Sequence, residues 1–425
     1  MFKWLIQKRL ERYVYKYALR HPDVILVAIS GSVGKTSTKR AIATVLSERY
    51  KVRCNEGDYS SKLNTPLAIL GIDYPENTKS ISTWMAVFKA AQQRVKEPAD
   101  ADVIVHELSV DHIGQMTGFS KYLRPDIGVV TAVAPKYMEE FGTVEAVARE
   151  ELELVNFSEQ SLINREDIDG KYAKYVKKGA LSTYGTKPPA EYRYETQDYT
   201  LENGYSGAFV AKDWQDPVTA KVNVIGEHTI HSIAAAGAVA VKLGMSAAEI
   251  VKGLEKISAV PGRMNILRGQ NESIIIDDTY SSNPMAAEAA LQALYQTSVP
   301  QRIAVLGSMN GLGDLSMSAH ETLGKLCDPA ELAWVVVVGE EAERYLAPAA
   351  RSRGCQVKSC KTAIEAGSFV HKVMENGAAI LFKGSKDGIF LEEAVKIILH
   401  STDDEHQLVR QTPEWLERKT AFFND

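Results

Sequence analysis

Val24–Arg40 reads VILVAISGSVGKTSTKR, and the fold turns on this stretch. Val24 to Ile29 is an unbroken run of β-branched and apolar residues, the pattern of a strand buried on both faces. It runs into Ser30-Gly31-Ser32-Val33-Gly34-Lys35-Thr36, and from Lys35 onward the sequence reads as a helix. Strand, glycine loop and helix is the layout that cradles nucleotide phosphates. Backbone N–H groups along Gly31, Ser32, Val33, Gly34 and the first helical turn, with Ser37, would face the anionic oxygens. Lys35 would reach the β and γ phosphates, and the Thr36 hydroxyl would ligate Mg²⁺. Ile29 stands where the longer form of the motif has its first glycine, so this is the shorter G-x-x-G-K-T variant. The same hexapeptide could open a helix with no ligand, but the strand before it favours phosphate.

Outward from the loop, 425 residues are too many for one ordinary core, and two or three domains are expected. Apolar content of 45% and charged content of 24% describe an ordinary globular protein. A net charge of −5 carries no global footprint for nucleic acid. Cys54, Cys327, Cys355 and Cys360 lack zinc or CxxC spacing, so free thiols in a reducing, cytoplasmic setting are expected. No apolar run reaches the roughly 18–20 residues of a membrane span, and no secretory signal is visible. Residues 2–20 place Phe2, Leu5, Ile6, Leu10, Tyr13, Val14 and Tyr17 at helical spacing among Lys3, Lys8, Arg9, Arg12, Lys16 and Arg20. Such a basic amphipathic helix either packs on the body or a partner, or lies on a membrane surface. Packing is the simpler expectation.

Ala101–Leu108 and Asp126–Val133 read as further buried strands of a parallel sheet. Thr143–Val155 reads as a helix, and residues 180–222 as an antiparallel extension. After Pro261-Gly262-Arg263 the pattern restarts, with strands at Ser273–Asp278, Arg302–Gly307, Trp334–Gly339 and Ala378–Phe382, each leading to a helix. The expected fold is α/β: a P-loop ATPase domain with a parallel sheet, then a Rossmann-like domain. The expected division is 1–22 basic helix, 23–261 central domain, 262–400 second domain and 401–425 tail.

Separated motifs then line up in one order. They are the GxxGKT loop, His106-Glu107, Arg124-Pro125-Asp126-Ile127-Gly128, Met138-Glu139-Glu140-Phe141-Gly142 and Gly226-Glu227-His228. Pro261-Gly262-Arg263, Asp277-Asp278-Thr279-Tyr280, Val305-Leu306-Gly307-Ser308-Met309 and Lys383-Gly384-Ser385 complete the series. In order and spacing this resembles the Mur ligase family, nearest to its D-alanyl-D-alanine-adding branch. The resemblance implies an ATP- and Mg²⁺-dependent ligase that activates a carboxylate as an acyl phosphate and lets an amine displace the phosphate. It implies that Lys35, Glu107, Arg263 and Lys383 carry the chemistry. Thr36, Glu107 and Glu151 would hold the cation, and His228, Arg263 and Asp277 would join the loop around the nucleotide. Lys383 and Ser385 would meet the amine substrate.

Departures accompany the resemblance. Tyr137 replaces a magnesium-ligand histidine, and Glu151 falls on the family's carbamoylated lysine, where a carboxylate can stand in for a carbamate. The alternative is that Glu151 merely decorates a helix rich in Glu145, Glu150 and Glu153. Ser60, Ser61, Thr229, Ser232 and Ser281 occupy family asparagine sites, and Ser308 and Gly311 stand where acids are usual. Only about 22 residues precede the ATPase strand, too few for the family's UDP-sugar-binding domain, so either a protein partner supplies that recognition, or the substrate is different, or the acceptor is held by the remaining two domains alone. The resemblance points to a cell-wall peptide precursor as acceptor. A Mur-type ligase redirected to another carboxylate, and a degenerate nucleotide-binding scaffold, are the rival readings.

Overall fold

The structure is a computed structural model and describes residues 2–55, 63–75, 77–177, 181–201 and 203–424. It divides into two compact units. The first holds 1–133, 140–223 and 229–257, and the second holds 134–139, 224–228 and 258–425.

In the first unit nine strands form one sheet: β1 Ile25–Ser30, β2 Val52–Cys54, β3 Val103–Glu107, β4 Ile127–Val130, β5 Gln160–Asn164, β6 Leu181–Gly185, β7 Tyr192–Thr200, β8 Gly204–Ala211 and β9 Val218–Val222. Their order is β2-β3-β1-β4-β5-β6-β7-β8-β9. The strands from β2 to β6 are parallel, and β1 lies between β3 and β4. Val103, Val105, Ile127 and Val129 have no exposed surface beyond 1%, as strands covered on both faces require. The register pairs Ile29 with Glu107 and Ser30 with Val130, so three strand ends meet at one sheet edge. That is the crevice where the strand order reverses and α/β sheets take ligands. The extension is antiparallel only from β7 to β9, because β6 still runs parallel to β7.

Helix α1 (Phe2–Arg20) buries Ile6, Leu10, Val14 and Tyr17, one stripe at helical spacing. It packs on α3 (Asn64–Leu70) and α4 (Ile81–Lys96), while α2 (Lys35–Leu46) follows the phosphate loop. Burying four such side chains contributes on the order of 6–10 kcal/mol gross, which is ample to hold one helix. Packing on the body is thus what the inner face does.

The second unit has six strands: β10 Asn265–Arg268, β11 Ile274–Asp278, β12 Arg302–Gly307, β13 Trp334–Val338, β14 Val357–Cys360 and β15 Ala379–Lys383. Their order is β10-β11-β15-β12-β13-β14, parallel except for β10. β10 was not visible in the sequence, because four alternating residues on a sheet edge carry little periodic signal. Ile275, Ile303, Val305, Val336, Ile380 and Phe382 meet the helices Ala363–Val373 and Glu392–Ile398 in the core.

Residues 401–424, expected as a tail, pack within the second unit. Arg410 makes two hydrogen bonds to the fully buried Glu392, at 2.7 and 2.6 Å. The helix Pro413–Asn424 sets Trp415, Phe422 and Phe423 edge-on around Phe390.

Candidate active site

The loop after β1 is held open by its neighbours. Gly31 has φ +134, and a Cβ there would lie 2.1 Å from Thr131 Oγ1 and 2.9 Å from the Ala132 nitrogen. Only glycine fits so close to the backbone beyond β4. Thr131 Oγ1 donates to the Val33 carbonyl at 2.5 Å, and Ser32 N donates to the Ala132 carbonyl at 2.9 Å. Gly34, at φ +80, starts α2 with no side-chain cap. The first turn of α2 therefore starts on a residue with no side chain to accept from its N–H groups, and its positive dipole end faces the loop. Lys35 arches across the loop, its Nζ donating to the Gly31 carbonyl at 2.5 Å. Ser32 to Ser37, with Thr36 among them, are half-buried and line the same loop.

Glu107 ends β3 one strand away and is 7% exposed. Its Oε1 lies 3.9 Å from the buried Lys39 Nζ, and its Oε2 has no hydrogen-bond partner. A buried carboxylate oxygen left unsatisfied is costly unless a further group completes it. Among the described residues no three or more His, Cys, Asp or Glu side chains cluster to hold a metal. The oxygens that the sequence reading offers to a cation here are the Thr36 hydroxyl and the Glu107 carboxylate. That suits Mg²⁺, which binds through one or two protein oxygens while keeping water and phosphate oxygens.

Glu151 is not a decorative helix residue: it is 0% exposed. Its Oε2 accepts from the Ser30 hydroxyl and from Gly31 N at 2.8 Å. The sequence reading put this carboxylate on the cation, whereas the structure gives its Oε2 to the base of the phosphate loop. Glu150 is also buried and caps the helix Gln115–Phe119, accepting from Gly114 N at 2.8 Å and Met116 N at 2.5 Å.

His106 sits beside Thr65 at 3.2 Å, and burial, aided by the Lys39 charge, lowers its pKa to about 3. His231 lies 2.9 Å from Asp167 and 3.3 Å from Glu166. Burial opposes its charge, but the two carboxylates outweigh it and raise its pKa to about 9. Ser232 hydrogen-bonds Thr38 of α2 at 3.0 Å, so this departure from asparagine has a packing role. Ser60 and Ser61 lie outside the described residues.

In the second unit, Arg263 follows the turn at Gly262 and places its guanidinium 4.1 Å from the centre of the Tyr280 ring. Asp277 is fully buried. Its Oδ2 accepts from Gly262 N at 3.1 Å, and its Oδ1 accepts from the Thr279 hydroxyl at 2.6 Å and Thr279 N at 3.2 Å. Burial pushes its carboxyl up to about 6 against those hydrogen bonds. Asp277 therefore holds the turn that carries Arg263, and it offers no exposed oxygen to a nucleotide. His228 is half-buried beside Gly226.

Lys383 and Ser385 close the C-terminal edge of this sheet. Lys383 is 2% exposed, ion-paired to Asp278 at 2.8 Å and donating to the Ser281 carbonyl at 2.6 Å. Ser385 is also buried, and its Oγ accepts from Asn310 N at 2.8 Å. Both side chains are committed to the strand-end loops, where they fix the crevice rather than project from it. Ser308 likewise accepts from Ala342 N at 3.1 Å. No sequence signal marked Lys39, inside α2, or Thr131, one residue past β4, as parts of the site.

A glycine-capped helix, an arching lysine and a strand-end carboxylate at the reversal of a parallel sheet define a phosphate-loop nucleotide-binding protein of α/β fold. Residues 29–240 match the Mur ligase middle domain, and residues 262–386 match the Mur ligase, glutamate ligase domain. The chain belongs to the Mur ligase family.

Among relatives, the UDP-N-acetylmuramoyl-tripeptide–D-alanyl-D-alanine ligase of Bacillus subtilis (strain 168) is 25% identical over 381 residues, covering 88% of this chain and 76% of that one. Further relatives of the same name are spanned over only 58–65% of their own lengths. The crystal structure of MurF ligase from Thermotoga maritima in complex with ADP shares the fold at a TM-score of 0.75 and 22% identity, over 92% of this chain and 83% of that one. Mycobacterium tuberculosis folylpolyglutamate synthase, solved with ADP and AMPPCP, shares it at a TM-score of 0.64 and 14% identity, over 92% and 94%.

Proposed function

We propose that this chain is an ATP-dependent carboxylate–amine ligase that forms an amide through an acyl phosphate. The observation that carries the reading is Glu107, a buried carboxylate with an unpartnered oxygen at the strand end beside an uncapped phosphate loop. In this reading the loop N–H groups and Lys35 bind and orient the triphosphate. Glu151 keeps Ser30 and Gly31 in place during phosphoryl transfer, and Thr36 and Glu107 hold the cation. When bound, Mg²⁺ supplies positive charge that offsets the negative charge on the transferring phosphoryl group. Arg263, a cation of the second unit held by the turn that Asp277 fixes and by the Tyr280 ring, is the arginine this reading assigns to the nucleotide.

The acceptor we favour is a cell-wall peptide precursor and the amine is D-alanyl-D-alanine, as the names of the relatives suggest. Work in the cytoplasm, where ATP and reduced thiols coexist, fits the four free cysteines. Among the described residues no helix is long and apolar enough to cross a membrane. Because the chain spans less than two thirds of most of those relatives, the assay also includes other carboxylates, glutamate-bearing ones among them. Phosphate release from ATP is followed with each acceptor and amine pair, using Lys35→Ala as the control. Amine-dependent release with an amide product supports the ligase. Nucleotide binding with no turnover on any pair sinks it and leaves a nucleotide-binding scaffold.

A further inference from the structure

The outer face of α1 plays no part in ligase chemistry. Opposite the buried stripe, Trp4, Leu5, Tyr15 and Leu19 are 58, 54, 53 and 65% exposed. Arg12 and Lys16 are exposed on the same side. On a 3.6-residue helix these six positions share one flank, so apolar and basic side chains interleave on a single surface. On α4, which packs against α1, Ile81 and Met85 are each 66% exposed. Scattered exposed apolar residues are ordinary, but four on one face of a single helix mark a docking surface.

Charge selects the occupant. Residues 2–20 carry six basic residues and one acid, Glu11, for +5. The whole chain is −5, so the remainder is −10. A second copy docked on this face by a twofold axis would set +5 against +5. An anionic surface would attract α1 and repel the rest of the chain, which also orients the molecule. Trp and Tyr settle at headgroup depth, leucines reach the acyl boundary, and Lys and Arg stems lie along apolar surface with their heads in water.

We propose that the outer face of α1 seats this chain peripherally on an anionic lipid bilayer. Each basic residue near such a surface strengthens binding about fivefold. Reversing two of them changes the charge by four units and so weakens it by on the order of several hundredfold.

The test is flotation of the full chain with phosphatidylcholine vesicles, with and without phosphatidylglycerol. Association with the anionic vesicles only, released by high salt, is the expected result. Arg12→Glu with Lys16→Glu should lose it by the factor above. Trp4→Ala with Leu19→Ala should weaken it at least about tenfold. In both variants the unfolding midpoint and nucleotide affinity stay those of the parent, since none of these side chains is in the core or the phosphate site. Failure of the parent to float overturns the proposal, and so does undiminished flotation of the charge-reversed variant. A dimer that Trp4→Ala/Leu19→Ala dissociates, without vesicle association, assigns the face to a second copy and overturns it as well.

Discussion

Glu151 can be separated into loop brace and metal ligand by two substitutions. It is 0% exposed, and its Oε2 takes the Gly31 N–H at 2.8 Å together with the Ser30 hydroxyl. Hydrogen bonds to an ionised acceptor are worth roughly 1.5–3 kcal/mol each, and a buried donor left bare costs about 1–3. Glu151→Ala strands both donors and opens a small void, so a loss of about 3–5 kcal/mol is expected. Glu151→Gln keeps an amide oxygen where Oε2 stood and forfeits only the charge assistance, for roughly 1–2 kcal/mol. Urea unfolding at constant slope measures both.

Calorimetric ADP titration with Mg²⁺ and with chelator then decides the role. A brace acts on loop geometry, so Glu151→Ala should weaken ADP under both conditions, and Glu151→Gln only slightly under either. A ligand role would instead show Glu151→Gln losing affinity only when Mg²⁺ is present. If Glu151→Ala unfolds within about 0.5 kcal/mol of the parent and binds ADP equally well, the bracing argument is wrong.

Three further outcomes follow from the same geometry. Gly31→Ala should abolish nucleotide binding because its Cβ meets Thr131 and the Ala132 backbone. Gly34→Ala meets only Thr131 Cβ at 3.9 Å, so it should cost about 1 kcal/mol of backbone strain; equal damage from the two would refute the steric account. Glu107→Gln should raise the Mg²⁺ concentration that half-saturates turnover while leaving chelator-measured ADP affinity intact, and an unchanged Mg²⁺ requirement would remove Glu107 from the cation. His231 has a folded pKa raised to about 9 from 6.5, so its stabilisation is complete below about pH 6.5 and fades as pH rises through about 9. The loss is at most about 3 kcal/mol. Urea midpoints across that window should fall for the parent and stay flat for His231→Asn, and identical slopes would refute the carboxylate pairing.

What could be read from the sequence is what is determined within a few residues. Val24–Ile29 reads as a buried strand because nothing polar interrupts it, and Gly31 and Gly34 mark the turn after it because glycine takes positive φ without strain. Glu107 and Asp277-Asp278 were visible as acids at the ends of apolar runs, and the second strand series was legible because parallel strands are apolar on both faces. The amphipathic stripe of α1 likewise showed its inner face, and its basic residues were plain from the start. The roles of Glu151, Asp277 and Lys383 were not legible, and for one reason. Glu151 stands 121 positions from Ser30, and Lys383 meets the Ser281 carbonyl across 102. Whether an acid binds a cation or braces a loop depends on which strand lies beside it and on how much water is left there. Strand order decides both, through contacts that no local spacing encodes. The same holds for residues 401–424, whose place in the second unit rests on Arg410 finding Glu392. Local chemistry chose the phosphate loop; sheet order chose the side chains that hold it.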